Sequence, residues 1–317
     1  MSIKVRAHIS HIKEEPEVER EEAEKKVIQR FRTGVQKLDE AIEGGIPYGS
    51  WILISGEPGT GKTVLTQHAV HSAINQGWGA IVVSTELRKW EWMAQCRTLS
   101  IQIDEQSIIK LEDLVEYRVT RNKEGEEEFE ITYAFDKVPS NFKIIFIDVY
   151  TLSYLARMKK RQEETTGKKG KWYSYLDSSV LSLGIELGMR AFSKDPSKST
   201  EPKNPILIVI DSLSMFYLKA PSMAGKIALD IALRFKKYNT IGLLTSQYAW
   251  TTRATYGARV EHVADGVIHM WMDNVESTKE IRRYLIIKKM RMTQHALKAF
   301  RVRIEKGKGL VLEELSQ

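Results

Sequence analysis

The sequence predicts an α/β protein: a mostly parallel, twisted sheet with helices on both faces and an antiparallel strand extension towards the C-terminus. Three observations carry this. Short, unbroken apolar runs recur along the chain, at Trp51–Ser55, Ala80–Ser84, Lys143–Ile147, Ile206–Ile210 and Ile241–Thr245. Such β-branched runs suit strands covered on both faces, and helically spaced stretches such as Val64–Gln76 supply the covers. Beyond Asp265 the pattern changes. Gly266–Met272, Arg283–Lys289 and Ala299–Ile304 read as strands with too little chain between them for crossover helices, so they should pair antiparallel.

Taken in order, residues 1–26 form a charged arm. Its second half is acidic and poor in core formers, which suits a mobile or solvated segment. Residues 27–317 read as one domain carrying two insertions, near 115–135 and 155–200. The strand Trp51–Ser55 runs directly into a glycine-rich turn and then the helix from Val64. Ala80–Ser84 precedes a helical stretch from Leu87 to about Leu99, where Trp90 and Trp92 are expected in the core or an interface. Arg121–Glu130 reads as the charged tip of a hairpin. Arg157–Lys171 reads as a basic loop ahead of a helix around Ser174–Phe192.

Composition narrows the class of protein. The 317 residues are 42% hydrophobic, which is ample for a large core. The central apolar run Ile206–Ile210 is far short of the roughly 18 residues of a membrane span. Met1–Lys4 leads into charge with no apolar leader, and Cys96 is the only cysteine, so a cytoplasmic protein without an internal disulfide is expected. A net charge of +7 suits a polyanionic partner, although a nucleotide site alone also attracts basic residues.

The sharpest local signal is Gly56-Glu57-Pro58-Gly59-Thr60-Gly61-Lys62-Thr63, a G-x-x-x-x-G-K-[ST] motif set directly after a strand and before a helix. Glycines let consecutive backbone N–H groups turn inward around a phosphate, and the helix N-terminus behind them adds its dipole. Lys62 is placed to reach β- and γ-phosphates, and the Thr63 hydroxyl to ligate Mg²⁺. Gly56, Pro58, Gly59, Thr60, Gly61, Lys62, Thr63 and Val64 are therefore the expected nucleotide-binding stretch, with ATP and Mg²⁺ as cofactors.

Such a loop needs a second magnesium carboxylate at a neighbouring strand end. Asp148 and Asp211 compete. Asp211 is favoured because it closes the unbroken run Ile206–Ile210, whereas Asp148 leads into Val149-Tyr150, which reads as strand continuing into a loop. Hydrolysis also needs a group that orients water. Glu86, just past the strand Ala80–Ser84, stands at the carboxyl edge of the sheet beside the phosphate loop.

These three elements, in this order and on this topology, resemble the RecA/KaiC class of P-loop ATPases. Thr33-Gly34-Val35-Gln36-Lys37-Leu38-Asp39 with Gly44-Gly45-Ile46-Pro47-Tyr48-Gly49-Ser50 is similar to the TGxxxLD…GGxPxGS approach of KaiC domains. Val260–Ile268 resembles the VEHxADGxI segment of archaeal KaiC-like proteins, and Lys289-Met290-Arg291-Met292-Thr293-Gln294-His295 resembles their KxRxTxH signature. The likeness covers most of Phe31–Leu312 and points to a KaiC-like RadA paralogue.

The resemblance implies roles that composition does not. Lys289 and Arg291 would reach the γ-phosphate bound by an adjacent subunit, Arg291 in the manner of an arginine finger, while Met290, Thr293 and His295 frame that nucleotide. Ser246 and Gln247 would sense the γ-phosphate, and Thr98 would lie near the base. Sites completed across a subunit boundary imply a hexameric ring or a filament. The chain also departs from the family. Glu86-Leu87 replaces the paired glutamates of many KaiC domains, and Glu261-His262 falls where the clock protein carries its phosphorylated hydroxyls, which argues against an autokinase cycle.

Three functions share this site. An ATPase acting on single-stranded DNA suits the basic stretch Arg157–Lys171 with the following Trp172, Tyr173 and Tyr175. A nucleotide-switched scaffold for protein partners suits the acidic arm. A nucleotide-binding protein without turnover is disfavoured by intact Lys62, Thr63, Glu86 and Asp211.

Overall fold

The computed structural model describes residues 28–121, 127–135, 138–165, 178–196, 199–216, 223–237, 239–247, 260–275 and 279–315. The charged arm lies outside the described residues, as do 166–171 of the basic stretch and the aromatics Trp172, Tyr173 and Tyr175.

A ten-stranded sheet organises the chain. Its parallel part is built from β3 (Trp51–Gly56), β4 (Gly79–Ser84), β5 (Ile108–Lys110), β8 (Ile144–Asp148), β9 (Ile206–Asp211), β10 (Thr240–Gln247) and β11 (Gly266–Val275). Three further strands, β12 (Glu280–Met290), β13 (Phe300–Glu305) and β14 (Gly309–Glu314), continue it in antiparallel fashion. The order across the sheet is β14-β13-β12-β11-β3-β10-β9-β4-β8-β5. Outside it lie a short pair, β1 (Arg30–Phe31) with β2 (Ile46–Pro47), and an antiparallel pair, β6 (Val115–Arg121) with β7 (Glu127–Tyr133). Of the charged tip expected at Arg121–Glu130, Arg121 ends β6, Glu127–Glu130 open β7, and 122–126 lie outside the described residues.

Alternation explains why the strand runs are continuously apolar. Along β9, Leu207 and Val209 face one core while Ile206, Ile208 and Ile210 face the other. The first core is closed by α2 (Lys62–Asn75) and α3 (Lys89–Thr98), through residues such as Leu65, Ala69 and Trp92. The second is closed by α4 (Val149–Thr165), α5 (Ser178–Ala191) and α6 (Ala224–Phe235), through Leu152, Ile185 and Ile231. Two short helices, α1 (Gln36–Ala41) and α7 (Val260–Val263), complete the described set.

The structure corrects four sequence expectations. β11 does not belong wholly to the antiparallel extension: it pairs parallel to β3 and antiparallel to β12, so it turns the sheet from one mode to the other. A fourth tail strand, β14, escaped the reading because Gly309–Glu314 mixes apolar and acidic residues. Arg157–Thr165 continues α4 as helix rather than loop. The helix starts immediately after Asp148, whose Oδ1 accepts from the backbone N–H groups of Tyr150 (3.0 Å) and Thr151 (2.9 Å) and from the Thr151 hydroxyl (3.1 Å). A carboxylate satisfying first-turn donors is a helix-starting arrangement, and it engages Asp148 through Oδ1.

Candidate functional site

The carboxyl edge of the parallel strands gathers most of the expected residues. β3 ends at Gly56, and the loop that follows turns through left-handed backbone at Gly59 (φ 80°) and Gly61 (φ 105°) before α2 begins at Lys62. A side chain is strained at either position. A Cβ on Gly61 would in addition lie 3.1 Å from Ile304 Cδ1 of β13. Lys62 Nζ donates to the carbonyls of Gly56 (3.0 Å) and Glu57 (2.7 Å). Burial lowers the Lys62 pKa, against the pull of Asp211, Glu86 and Glu57, which keeps the ammonium in a field of carboxylates.

Asp211 stands across from this loop. It is buried, its Oδ1 accepts the Thr245 hydroxyl at 2.5 Å, and its carboxylate also accepts the Thr63 hydroxyl. Burial pushes its pKa up, opposed by those two hydrogen bonds and by Lys62. Thr85 N donates to Asp211 O (2.7 Å), and the Thr85 hydroxyl exchanges hydrogen bonds with Ser212 N (2.8 Å) and O (3.1 Å), so the ends of β4 and β9 are stitched together. That stitching sets Glu86 beside Asp211. The Glu86 pKa is raised by burial first and by the Asp211 charge second, with Lys62 and a hydrogen bond from Gln247 Nε2 opposing. Gln247 pairs in register with Gly56, and Ser246 with Ser55, so β10 lays the expected sensor positions alongside the loop.

A magnesium ion with a nucleotide phosphate fits this donor set. Thr63 and Asp211 offer two hard oxygen donors already in contact, and among the described residues no group of three or more His, Cys, Asp or Glu side chains encloses a metal. A site of one hydroxyl and one carboxylate leaves the remaining positions to phosphate and water, as Mg²⁺ prefers.

A second group lies elsewhere. Met290 pairs with Gly266, which pairs with Ile52 near the start of β3, whereas Gly56 pairs with Met270. At about 3.3 Å per residue, the stretch Lys289–His295 therefore begins about 10 Å along the sheet from the start of the chain's own phosphate loop and runs on towards the amino edge. Asp265 organises this edge. Its buried carboxylate accepts Trp51 N (2.9 Å), Lys236 Nζ (2.7 and 2.8 Å) and Arg291 Nη1 (3.1 Å). Lys289 Nζ donates to Ala264 O (2.6 Å) and Glu261 O (3.1 Å), and Arg30 Nη1 donates to the Thr293 hydroxyl at 2.5 Å. Met290 is buried, and His295 Nδ1 lies 3.2 Å from Ala296 O. Thr98 joins neither group. It ends α3, about 15 Å along that helix from the Glu86 loop, with its hydroxyl on Ala94 O. The Val64 side chain faces the core, leaving only its backbone for a nucleotide.

Several residues of the site were not singled out from sequence. Arg283 Nε donates to Gly59 O (2.9 Å), and Met272 N donates to the Glu57 carboxylate, so the β11–β12 hairpin lies over the loop. His269, paired in register with Ser55, shares a 3.0 Å hydrogen bond with its hydroxyl and stacks with Trp271, which stacks in turn on Tyr284. Burial, with Lys288 and Lys62 nearby, lowers the His269 pKa to about 4. Period-two alternation along β11 was the available signal, because it places His269 and Trp271 on one face.

Fold and site together define a nucleotide-binding protein of the P-loop class on a RecA-type sheet. The family model described as "ATPase: KaiC" matches residues 31–164 and 186–317, and the chain belongs to that family of ATPases. It is 26% identical over 291 residues to a UPF0273 protein of Thermotoga maritima, covering 90% of this chain and 96% of that one. A UPF0273 protein of Saccharolobus solfataricus is 27% identical over 267 residues, covering 84% of this chain and 77% of that one. Among solved structures, a KaiC-like protein of Pyrococcus horikoshii shares the fold, with a TM-score of 0.55 at 20% identity, over 90% of this chain and 100% of that one.

Proposed function

We propose that this chain is a Mg²⁺-dependent ATPase that completes its hydrolytic site by assembling with copies of itself, and that it works in the cytoplasm on single-stranded DNA as a recombination or repair accessory. The observation that carries the assembly is the distance between the two halves of the site. Lys289 and Arg291 lie at the amino edge of the sheet and the phosphate loop at the carboxyl edge, so neither side chain serves its own loop. A neighbouring copy stacked edge to edge would bring them together, in a ring or a filament.

Within that arrangement the residues divide the work. Backbone N–H groups from Gly56 to Thr63 hold phosphate, and Lys62 neutralises it. Thr63 and Asp211 would hold Mg²⁺, which supplies charge to the phosphate oxygens. Glu86, its basicity raised by its surroundings, orients and deprotonates the attacking water. Gln247, bonded to Glu86, links the γ-phosphate position to that base. Arg291 of the neighbour adds charge as the phosphoryl group leaves. Support for a polyanionic partner comes from the net charge of +7 and from Arg157, Lys159, Lys160 and Arg161 in the second half of α4. The acidic arm suits the alternative, a nucleotide-switched scaffold for proteins using the same site.

The test mixes two inactive variants. Lys62→Ala lacks a working loop but keeps Arg291, and Arg291→Ala keeps the loop. Co-assembled chains are expected to regain ATP hydrolysis. Mixed assemblies, verified by tagged pull-down, that stay inactive at every ratio would overturn the interfacial site.

A further inference from the structure

We infer that the cleft between the start of α3 and the start of α4 binds one nucleotide unit of a single strand, its base stacked on Trp90 and its phosphate held by Arg88 and Lys89. The cleft measures about 370 Å³ and opens two residues beyond Glu86, at the same carboxyl edge as the phosphate loop. That volume suits a small planar ligand. Trp90 lines it and is 63% exposed, although it stands only two positions from Trp92, which is buried. A large aromatic ring left open beside cations is a stacking platform, and every base has a face to offer it.

The charges in the cleft are unequal in their commitments. Its carboxylates are already engaged: Asp148 accepts three hydrogen bonds from the first turn of α4, and Glu105 is paired with Arg97 at 2.6 Å. Lys110 is paired with Glu112. The side chains of Arg88 and Lys89, by contrast, meet only neutral partners among the described residues, although the Arg88 backbone N–H donates to the Glu91 carboxylate at 2.8 Å. Arg88 Nη2 donates to the Tyr150 hydroxyl at 2.6 Å with its guanidinium 4.6 Å from the Tyr150 ring centre, and Lys89 Nζ donates to Ile108 O at 3.3 Å. Tyr150 thus fixes a guanidinium whose remaining donors are open to a phosphate, and two cations stand ready beside one uncovered ring. The position is separate from the phosphate loop, so it is compatible with bound ATP.

This inference rests on the reading of single-stranded DNA as the partner and names where that partner touches. The test is fluorescence anisotropy of an end-labelled twenty-residue oligo-dT against the full chain, at two salt concentrations. Trp90→Ala is expected to weaken binding about tenfold. Arg88→Ala is expected to weaken it less and to flatten the salt dependence by about one phosphate contact. Both changes lie at exposed positions and should leave DNA-free ATP hydrolysis in place. Competition by dTMP separates the sources of the nucleotide unit: no displacement assigns the cleft to a strand, and displacement assigns it to a free mononucleotide of the same chemistry. Wild-type binding retained in both variants overturns the cleft alone. A wild-type chain that does not bind the oligonucleotide overturns the cleft and the DNA reading together. Loss of binding in Trp90→Ala that accompanies loss of assembly also overturns it, placing Trp90 in a subunit contact.

Discussion

At the scale of single residues, the centre of the molecule is a set of groups whose charges hold one another in check. Lys62 and Asp211 are buried while Glu86 stands at the surface; both carboxylates act on Lys62, Asp211 and Lys62 act on Glu86, and Lys62 acts on Asp211. Their separate roles can be split by substitution. Glu86→Gln should bind ATP as the parent does and lose turnover by about 10²–10⁴-fold, whereas Lys62→Ala should lose turnover and bind nucleotide more weakly. Steady-state hydrolysis beside nucleotide titration checks this, and wild-type turnover in Glu86→Gln would remove Glu86 from its role. His269 makes a different prediction. Its folded pKa, about 4, lies below its ordinary value of 6.5, so the unfolded chain binds more protons between those two values. Stability should therefore fall as pH drops from 6.5 towards 4, and His269→Gln should lessen that fall. Urea midpoints across this window measure it. The phosphate-loop residues, Glu86 and Asp211 were legible because strand-end position and motif spacing locate them. Thr245 and Arg283 were not, since their partners arrive from strands distant in sequence.

Secondary elements carry the next level of argument. The apolar runs announced β3, β4, β8, β9 and β10, because burial on both faces leaves no polar alternation to confuse with other structure. The helix after Asp148 was misread for a physical reason: its cap is also a strand's last residue, and a sequence shows only one letter for both duties. β14 was missed because an edge strand with one wet face resembles a loop. Among connections between elements, Asp265 stands out. It ties the start of β3 to Lys236 after α6 and to Arg291 after β12, with a side-chain exposure of only 5%. Removing it leaves the Trp51 N–H without its acceptor, so Asp265→Ala should cost about 1–3 kcal/mol in urea unfolding. An unchanged midpoint would mean that water replaces the carboxylate at no cost.

For the whole molecule, the separation of the two groups of site residues was visible only once strand register was known. Sequence motifs name Lys289 and Arg291, but their distance from the chain's own loop follows from β12 running back along β11. The proposed assembly predicts that ATP turnover per chain rises with protein concentration and falls on dilution. Hydrolysis assayed alongside sedimentation measures this, and constant turnover down to the monomer would count against it.

The opposed edges of the sheet have one more consequence. A contact joining unlike faces repeats in a single direction, so the resulting array is polar. An open array of n copies under this reading holds n − 1 complete sites, with one loop uncompleted at one end and one idle Arg291 at the other. A closed ring holds n. Short open arrays would therefore waste the largest share of their chains, and fusing two copies head to tail should change output most where arrays are shortest.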